Sequence, residues 1–241
     1  MLLFVRKRGL YLYWKRNASY FENYFDLKRD YLEIYDGVKS FNNEFLSNAL
    51  EFGSGIRILK QDKTETIFSF IISQNNNINR IKKIIEKLCE SLGDKKSFMG
   101  EVYYSFPTAE KLASKKVEFY KELGLGYRDA YLLNFAQKIV EGYDVNKLDS
   151  LDTISLEKEL LKIYGVGKKV ADCILLFAYN RSDSFPVDTW IEKVYKENLF
   201  GKEKDRKKIS LELTSKFKGL SGYVQQYLFN YKRNDDSGYK N

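Results

Sequence analysis

Apolar residues recur with a helical period along most of this 241-residue chain, and this pattern limits the fold more than any other feature. The segment 67–72 is apolar on nearly every side and follows a helix-start signal at Asp62, so we expect a central, buried helix there. Strand alternation is almost absent beyond residue 20, and the main strand signal is the run 10–14. We therefore predict a mainly α fold with an all-helical body, preceded by a short, reduced β-rich segment at residues 1–28.

The charge and the reactive residue types narrow the chemistry. The chain carries 41 basic and 33 acidic residues, a formal charge of +8 that favours a polyanionic partner. It has no histidine, which excludes Ser-His-Asp and Cys-His catalysis and zinc sites built on imidazole. Its two cysteines, Cys89 and Cys173, are too few for a disulfide framework, a four-cysteine zinc site or an iron–sulfur cluster. No apolar run is long enough for a transmembrane helix, and we expect no membrane partner.

A turn joins two helical segments and has glycines at alternate positions, Gly165 and Gly167, on either side of Val166. We call residues 164–167 the glycine hairpin. Glycine permits a positive φ, and the missing side chains let backbone N–H groups approach an anion closely. The helix that follows adds the partial positive charge of its N-terminus. The segment is therefore typical of a phosphate-binding hairpin, and an ordinary turn between helices is the alternative.

Lys169 stands in the first turn of the helix after the glycine hairpin. The helix dipole and the neighbouring Lys168 both disfavour its charged form, so we expect an amine that can act as a nucleophile near neutral pH. Asp188 precedes another helical run. It is either a functional carboxylate that the helix start holds in place or a residue that only caps the helix. Cys173 follows Lys169 by one turn and shares its face, or is only a small buried residue.

A resemblance to a known family covers most of the chain, from Tyr24 to Phe229. It is carried, in order, by the segments 68–80, 123–128, 165–173, 186–188 and 224–229. With these segments the chain resembles the helix-hairpin-helix DNA glycosylase superfamily and, within it, the 8-oxoguanine DNA glycosylase/AP lyase family. The resemblance implies two helical subdomains that flank a cleft. Residues 29–110 would form the subdomain with the DNA-intercalating Asn-Asn-Asn run, and residues 111–241 the helix-hairpin-helix catalytic subdomain with the C-terminal helix.

The resemblance also implies the reaction. Lys169 would attack the anomeric carbon of the damaged nucleotide and form a Schiff base, while Asp188 would help to activate the amine and stabilise the positive charge on the sugar. β-Elimination would then nick the strand 3′ to the lesion. This chemistry needs no metal or cofactor, although a structural monovalent cation is expected at the glycine hairpin when DNA is bound.

In this family the target base leaves the duplex before the reaction, which implies residues that stabilise the distorted DNA. Asn75 would fill the hole, and Tyr127 would wedge beside the partner base. Arg80 and Arg128 would donate to that unpaired base. The alternatives are a polar cap or turn for the asparagine run and an exposed loop for Tyr127 and Arg128.

The resemblance implies a base pocket with two departures from the family pattern. Phe229 and Cys173 would sandwich the flipped purine, and Gln225 would bond its Watson–Crick edge. Family members read the oxidised base with a Gly-Gln segment of the N-terminal domain, and this chain has no Gly-Gln dipeptide. After the aspartate, animal members have Val-His where this chain has Thr189 and Trp190, so no histidine contact is carried over.

We therefore predict a bifunctional glycosylase/lyase that excises 8-oxoguanine from double-stranded DNA containing oxidised guanine or abasic sites. A monomer is expected, in the cytoplasm of a prokaryote or the nucleus of a eukaryote. One alternative is a glycosylase for another damaged purine, or chiefly an AP lyase. Another is a non-catalytic helix-hairpin-helix DNA-binding module, which would need the glycine hairpin but neither Lys169 nor Asp188.

Overall fold

The computed structural model describes residues 17–98 and 100–236, and most of these residues are helical. The prediction of a mainly α fold is therefore confirmed. The helices of the first half are α1 (Ala18–Tyr24), α2 (Tyr31–Lys39), α3 (Glu44–Phe52), α4 (Lys63–Ser73) and α5 (Ile78–Leu92). Strands β1 (Lys95–Phe98) and β2 (Glu101–Tyr104) follow and pair antiparallel, with Lys95 opposite Tyr104.

The second half of the chain is helical throughout its regular elements. Its helices are α6 (Ala109–Ala113), α7 (Val117–Glu122), α8 (Arg128–Val140), α9 (Thr153–Leu160), α10 (Lys168–Ala178), α11 (Thr189–Glu197), α12 (Arg206–Phe217) and α13 (Ser221–Asp236). Short 3-10 helices occupy Lys147–Ser150 and Lys218–Leu220. Within residues 17–98 and 100–236, no helix is both long and apolar enough to cross a membrane.

The predicted start of α4 is confirmed by its cap. Asp62 Oδ1 accepts the backbone N–H of Glu65 at 2.8 Å, which satisfies one of the free amides of the first turn. Behind this cap, Ile67, Phe68 and Ile71 are fully buried, as the apolar run predicted. Burial of this face fixes α4 in the interior, so its C-terminal end has a defined position from which the next loop departs.

Two stretches differ from the predicted secondary structure. In the described part of segment 1–28, residues 18–24 form helix α1 instead of strand, and the i,i+4 pair of Tyr20 and Tyr24 rings stacks along it with centroids 6.1 Å apart. The strand predicted at 10–14 lies outside the described residues. The body is also not wholly helical, because β1 and β2 form a hairpin. Each strand has only four residues, and all of them are exposed. Such strands have no alternation of apolar and polar residues from which they could be predicted.

The helices pack around two hydrophobic cores that share α10. One core is formed by buried residues between 67 and 179. The other joins residues 34–58, in α2, α3 and the segment after them, to residues 185–228, in α11 to α13 and the segment before them. Helix α10 buries eight of its eleven residues and contributes Ile174 to the first core and Leu176 to the second. Helices α2 and α3 thus share a core with the C-terminal helices, and the bounds 29–110 and 111–241 stay a prediction.

Candidate active site

Gly165 gives the glycine hairpin its shape. Its φ is +83°, and a Cβ at this position would lie 2.3 Å from a ring carbon of Tyr131. Only glycine meets both requirements without displacing that ring. Gly167 differs, because its φ is −97° and a Cβ there would meet no atom within 4 Å. The turn itself is closed by a bond from Val166 N to Ile163 O of 2.9 Å.

The N-terminus of α10 carries no side-chain cap. Its first intrahelical bond runs from Ala171 N to Gly167 O, at 2.9 Å. The amides of Lys168, Lys169 and Val170 therefore precede the ladder of the helix, where N–H groups and the helix dipole favour an anion. These free amides could bind an anion, and a phosphate-binding role for the glycine hairpin stays a prediction.

Lys169 lies at the wall of a cavity of about 300 Å³. The other lining residues are Gln74, Gly167, Lys168, Val170, Asp172, Val187, Arg206 and Lys207. Cys173 lies one turn along α10 from Lys169, on the same face of the helix, and the two groups interact electrostatically. Burial raises the pKa of Cys173 to about 11 although Lys169 acts in the opposite direction, so this thiol is neutral at pH 7.

Lys168 lines the same cavity as Lys169, but it is paired with two carboxylates. Its Nζ pairs with Asp172 Oδ1 at 2.5 Å and with Glu157 Oε1 at 3.3 Å. Asp172 is buried and also accepts from Ser210 Oγ at 3.1 Å; burial raises its pKa to about 6 against the attraction of Lys168. Lys168 was expected to disfavour the charged form of Lys169, and these two carboxylates offset part of its charge.

Asp188 combines a cap with a position near the cavity. One carboxylate oxygen accepts from Ile191 N at 2.9 Å and starts α11, as the cap reading predicted. The preceding residue, Val187, lines the Lys169 cavity. The charge of Asp188 also contributes to the raised pKa of Cys173, so this carboxylate and Lys169 both act on the same thiol. Capping and a functional role are thus compatible in this residue.

Arg128 holds the asparagine loop, which we define as residues 74–77. Its Nε donates to Gln74 O at 2.6 Å, its Nη2 to Asn75 O at 2.8 Å and its Nη1 to Leu125 O at 2.9 Å. Arg128 is only 3% exposed, so these charge-assisted bonds lie away from solvent. Asn75 has a φ of +42°, a conformation that asparagine adopts more readily than most residues. The predicted polar cap applies to Asn77, which accepts from Arg80 N at 2.9 Å to start α5.

Tyr127 and Arg80 lie beside the asparagine loop. Arg80 Nη2 donates to Gly124 O at 2.9 Å, which joins the start of α5 to the turn before α8. The Tyr127 ring is half exposed, 4.5 Å from the Arg128 guanidinium. The structure thus brings together all four residues predicted to stabilise distorted DNA. Arg128 is the inward member, with two of its five N–H groups left beyond its carbonyl bonds.

The three predicted base-pocket residues lie outside the lining of the Lys169 cavity. Gln225 is buried on α13, donates from Nε2 to Pro186 O at 3.2 Å and accepts from Gln226 Nε2 at 2.6 Å. It therefore contacts the segment that leads to Asp188. Phe229, one turn further on, is half-buried and packs on the second core. Cys173 is buried on α10, one turn from Lys169, which lines the cavity.

Three residues of the cavity wall were missed by the sequence reasoning: Gln74, Arg206 and Lys207. Arg206 Nε donates to Glu192 Oε2 at 2.7 Å. A helix start at Asp205, followed by three basic residues, is visible in the sequence, but only tertiary packing brings it to Lys169. Gln74 is the first residue of the asparagine loop, and nothing in its local sequence pattern indicates that it lines a cavity.

Comparisons with protein families and known proteins agree with this geometry. Residues 68–218 match a family model described as "HhH-GPD superfamily base excision DNA repair protein". Residues 11–67 match "8-oxoguanine DNA glycosylase, N-terminal domain", which reaches well past the predicted boundary at residue 28. A probable N-glycosylase/DNA lyase of Methanothermobacter thermautotrophicus is 29% identical, over 88% of this chain and 73% of its own length. The N-glycosylase/DNA lyase of Saccharomyces cerevisiae is 34% identical over 76% of this chain, which spans only 58% of that protein.

Comparison with solved structures indicates the same family. The 8-oxoguanine glycosylase/lyase of Clostridium acetobutylicum, in complex with double-stranded DNA containing cytosine opposite 8-oxoguanine, is 39% identical with a TM-score of 0.87. The match covers 92% of this chain and 76% of that one. The family model alone spans more than half of this chain. The chain therefore belongs to the HhH-GPD superfamily of base excision DNA repair proteins and, within it, to the 8-oxoguanine DNA glycosylase family.

Proposed function

We propose that this protein is a bifunctional DNA glycosylase/AP lyase that excises 8-oxoguanine from double-stranded DNA. The observation that carries the proposal is Lys169, an amine at a cavity wall directly after the uncapped helix start of the glycine hairpin, with Asp188 nearby. A binding module would need the uncapped helix start alone. The relatives named as N-glycosylase/DNA lyases and as an 8-oxoguanine glycosylase/lyase support the same reading.

In the proposed reaction, the Lys169 amine attacks C1′ of the damaged nucleotide, and the bond from C1′ to N9 breaks. The base leaves with the bonding electron pair and takes up a proton, and the sugar opens to a Schiff base with Lys169. Loss of a proton from C2′ then expels the 3′ phosphate, which nicks the strand. The Asp188 carboxylate, held at the start of α11, stabilises the positive charge that develops on the sugar.

In this proposal, the asparagine loop and its neighbours stabilise the DNA duplex from which the base has been everted. Everting a base costs a few kcal/mol, which contacts in the vacated space must offset. The exposed Asn75 would fill that space, and the half-exposed Tyr127 ring would stack beside the partner base. Arg80 and the two remaining N–H groups of Arg128 would donate to the partner base.

The base pocket would use three residues around α10 and α13. Cys173 offers an uncharged sulfur, because burial raises the pKa of its thiol to about 11. Phe229 offers a half-buried ring for the opposite face of the purine. Gln225 is held by Pro186 and Gln226 and keeps one amide hydrogen and one lone pair for the edge of the base.

The glycine hairpin would bind a DNA phosphate through the free amides at the start of α10. A structural monovalent cation at this hairpin in the DNA complex stays a prediction. Its ligands would be backbone carbonyls, because the described residues hold no cluster of three or more Cys, Asp or Glu suited to a metal. The monomeric state and the cellular compartment likewise stay predictions.

Excision and nicking by wild type and the Lys169→Gln variant test the proposal. Lys169→Gln should keep duplex binding and lose both reactions by at least a thousandfold, because the nucleophile is gone. Lys111→Gln is the matched control, since that lysine pairs with Asp94 and lies outside the cavity lining. Nicking of abasic duplex alone by wild type would indicate chiefly an AP lyase. Activity only on other damaged purines would change the substrate, and binding without turnover would leave a DNA-binding module.

A further inference from the structure

Gln74 has a buried amide nitrogen without a partner. Its Nε2 is shielded from solvent, and no hydrogen-bond acceptor lies within reach among the described residues. The residue also lines the cavity that contains Lys169. Buried donors without a partner are rare in folded proteins, and one at a cavity wall is explained most simply by a ligand that supplies the acceptor.

The backbone of Gln74 is held firmly, so its side chain departs from a fixed point beside the cavity. It ends α4 with φ −58° and ψ 129°, and its carbonyl oxygen accepts from Arg128 Nε at 2.6 Å. The next residue, Asn75, is held by the same guanidinium at 2.8 Å. These neighbours therefore face different spaces, since Asn75 is exposed while the amide nitrogen of Gln74 is enclosed.

The rest of the wall indicates which chemical group fits. Lys169, Arg206 and Lys207 are cations on the same cavity, and the free amides of α10 begin there. The one carboxylate of the lining, Asp172, is occupied by Lys168 and Ser210. A wall of hydrogen-bond donors selects a group rich in acceptor oxygens, such as the sugar–phosphate of a nucleotide.

We propose that Gln74 is a substrate-binding residue whose amide N–H donates to a sugar–phosphate oxygen of the everted nucleotide. The inference rests on the proposed function and assigns a contact that the sequence reasoning did not identify. It gives two neighbouring side chains different roles: Asn75 fills the space that the everted base leaves in the duplex, and Gln74 binds the everted nucleotide.

Two variants test this contact on duplexes with 8-oxoguanine, with an abasic site, and with the uncleavable tetrahydrofuran analogue of an abasic site. Gln74→Ala should lower cleavage of the first two by a similar factor, about tenfold to a hundredfold, and weaken binding to the third by a similar factor. Gln74→Glu should lose more, because a carboxylate repels the phosphate. Gln74→Ala should not unfold below the wild-type temperature by more than about 2 °C, because no internal hydrogen bond of the side chain is lost.

Asn198→Ala is the matched control, since Asn198 also has a buried side-chain atom without a partner but lies outside the cavity lining. Its activity should equal that of wild type. Unchanged cleavage and binding in Gln74→Ala would overturn the contact, and a loss confined to 8-oxoguanine would assign it to the base instead. If Gln74→Ala unfolds at a lower temperature, and if bound DNA restores both that temperature and the activity, the role of Gln74 is structural. Inactive wild type would refute the proposed function instead, and the tetrahydrofuran affinities would still decide the role of Gln74.

Discussion

The asparagine loop and the glycine hairpin are built by different kinds of contact. The turn of the hairpin is set by the positive φ of Gly165 and by the bond from Val166 N to Ile163 O, with the Tyr131 ring of α8 packed against it, and it offers backbone amides at the start of α10. The asparagine loop is held by Arg128 from 53 and 54 residues away, and it offers side chains. One region therefore depends on a local backbone shape, and the other on a single long-range guanidinium. Substitutions that remove one support at a time should separate the two.

Arg128→Met should have the largest effect on stability. It removes a buried cation that bonds three carbonyls and leaves those carbonyls without partners, so we expect the free energy of unfolding to fall by about 3 to 4 kcal/mol. Arg80→Met is the matched control, because Arg80 is exposed and makes one bond, to Gly124 O; its cost should stay below about 0.5 kcal/mol. Guanidinium denaturation measures both. Similar losses in the two variants would contradict the buried support.

Gly165→Ala should have the next largest effect. The added Cβ would meet the Tyr131 ring, and alanine would be held at a φ of +83°, so we expect a loss of about 2 to 3 kcal/mol and weaker DNA binding. Gly167→Ala provides the comparison, since its Cβ meets no atom within 4 Å and its φ is −97°. The same denaturation experiment should find Gly167→Ala within about 1 kcal/mol of wild type. An equal loss at both positions would argue against the role assigned to Tyr131.

The contrast between these regions also explains what the sequence predicts well. The cap of α4, the glycine hairpin and the placement of Lys169 beside Cys173 depend on residues within a few positions of each other, and they were predictable. The inward direction of Arg128 was not, because an arginine after a glycine pair has the pattern of an exposed loop. The ion pairs of Lys168 and the cavity wall at Gln74 also depend on tertiary contacts that leave no local signal.

Asn75→Gly isolates the side chain of the asparagine loop from its backbone. Glycine accepts the positive φ, so the free energy of unfolding should change by no more than about 0.5 kcal/mol. Excision from the 8-oxoguanine duplex should fall about tenfold, while cleavage of an abasic duplex falls less, because the abasic site is already unstacked. Parallel kinetic assays on the two duplexes measure this difference. Equal losses on both would count against a hole-filling role.

Cys173 provides the smallest and most local test, on the hairpin side of the comparison. Its thiol has a pKa raised to about 11 by burial and lowered in part by Lys169, so at pH 8 about one thiol in a thousand is ionised. In a Cys89→Ser background, alkylation at pH 8 should be at least about two hundredfold slower than for a free thiol and should accelerate as the pH rises toward 11. Lys169→Gln should slow it further. Faster alkylation in that variant would contradict the contact between the two side chains.

Borohydride trapping tests the central claim most directly, because it captures the Schiff base itself. Wild type should form a covalent complex with a duplex that contains 8-oxoguanine opposite cytosine and with an abasic duplex, but not with undamaged DNA. Mass spectrometry of the digested complex should find the sugar remnant on Lys169, and Lys169→Gln should give no complex. A remnant on another lysine, or no complex with any duplex despite tight binding, would contradict the account of this cavity as a catalytic site.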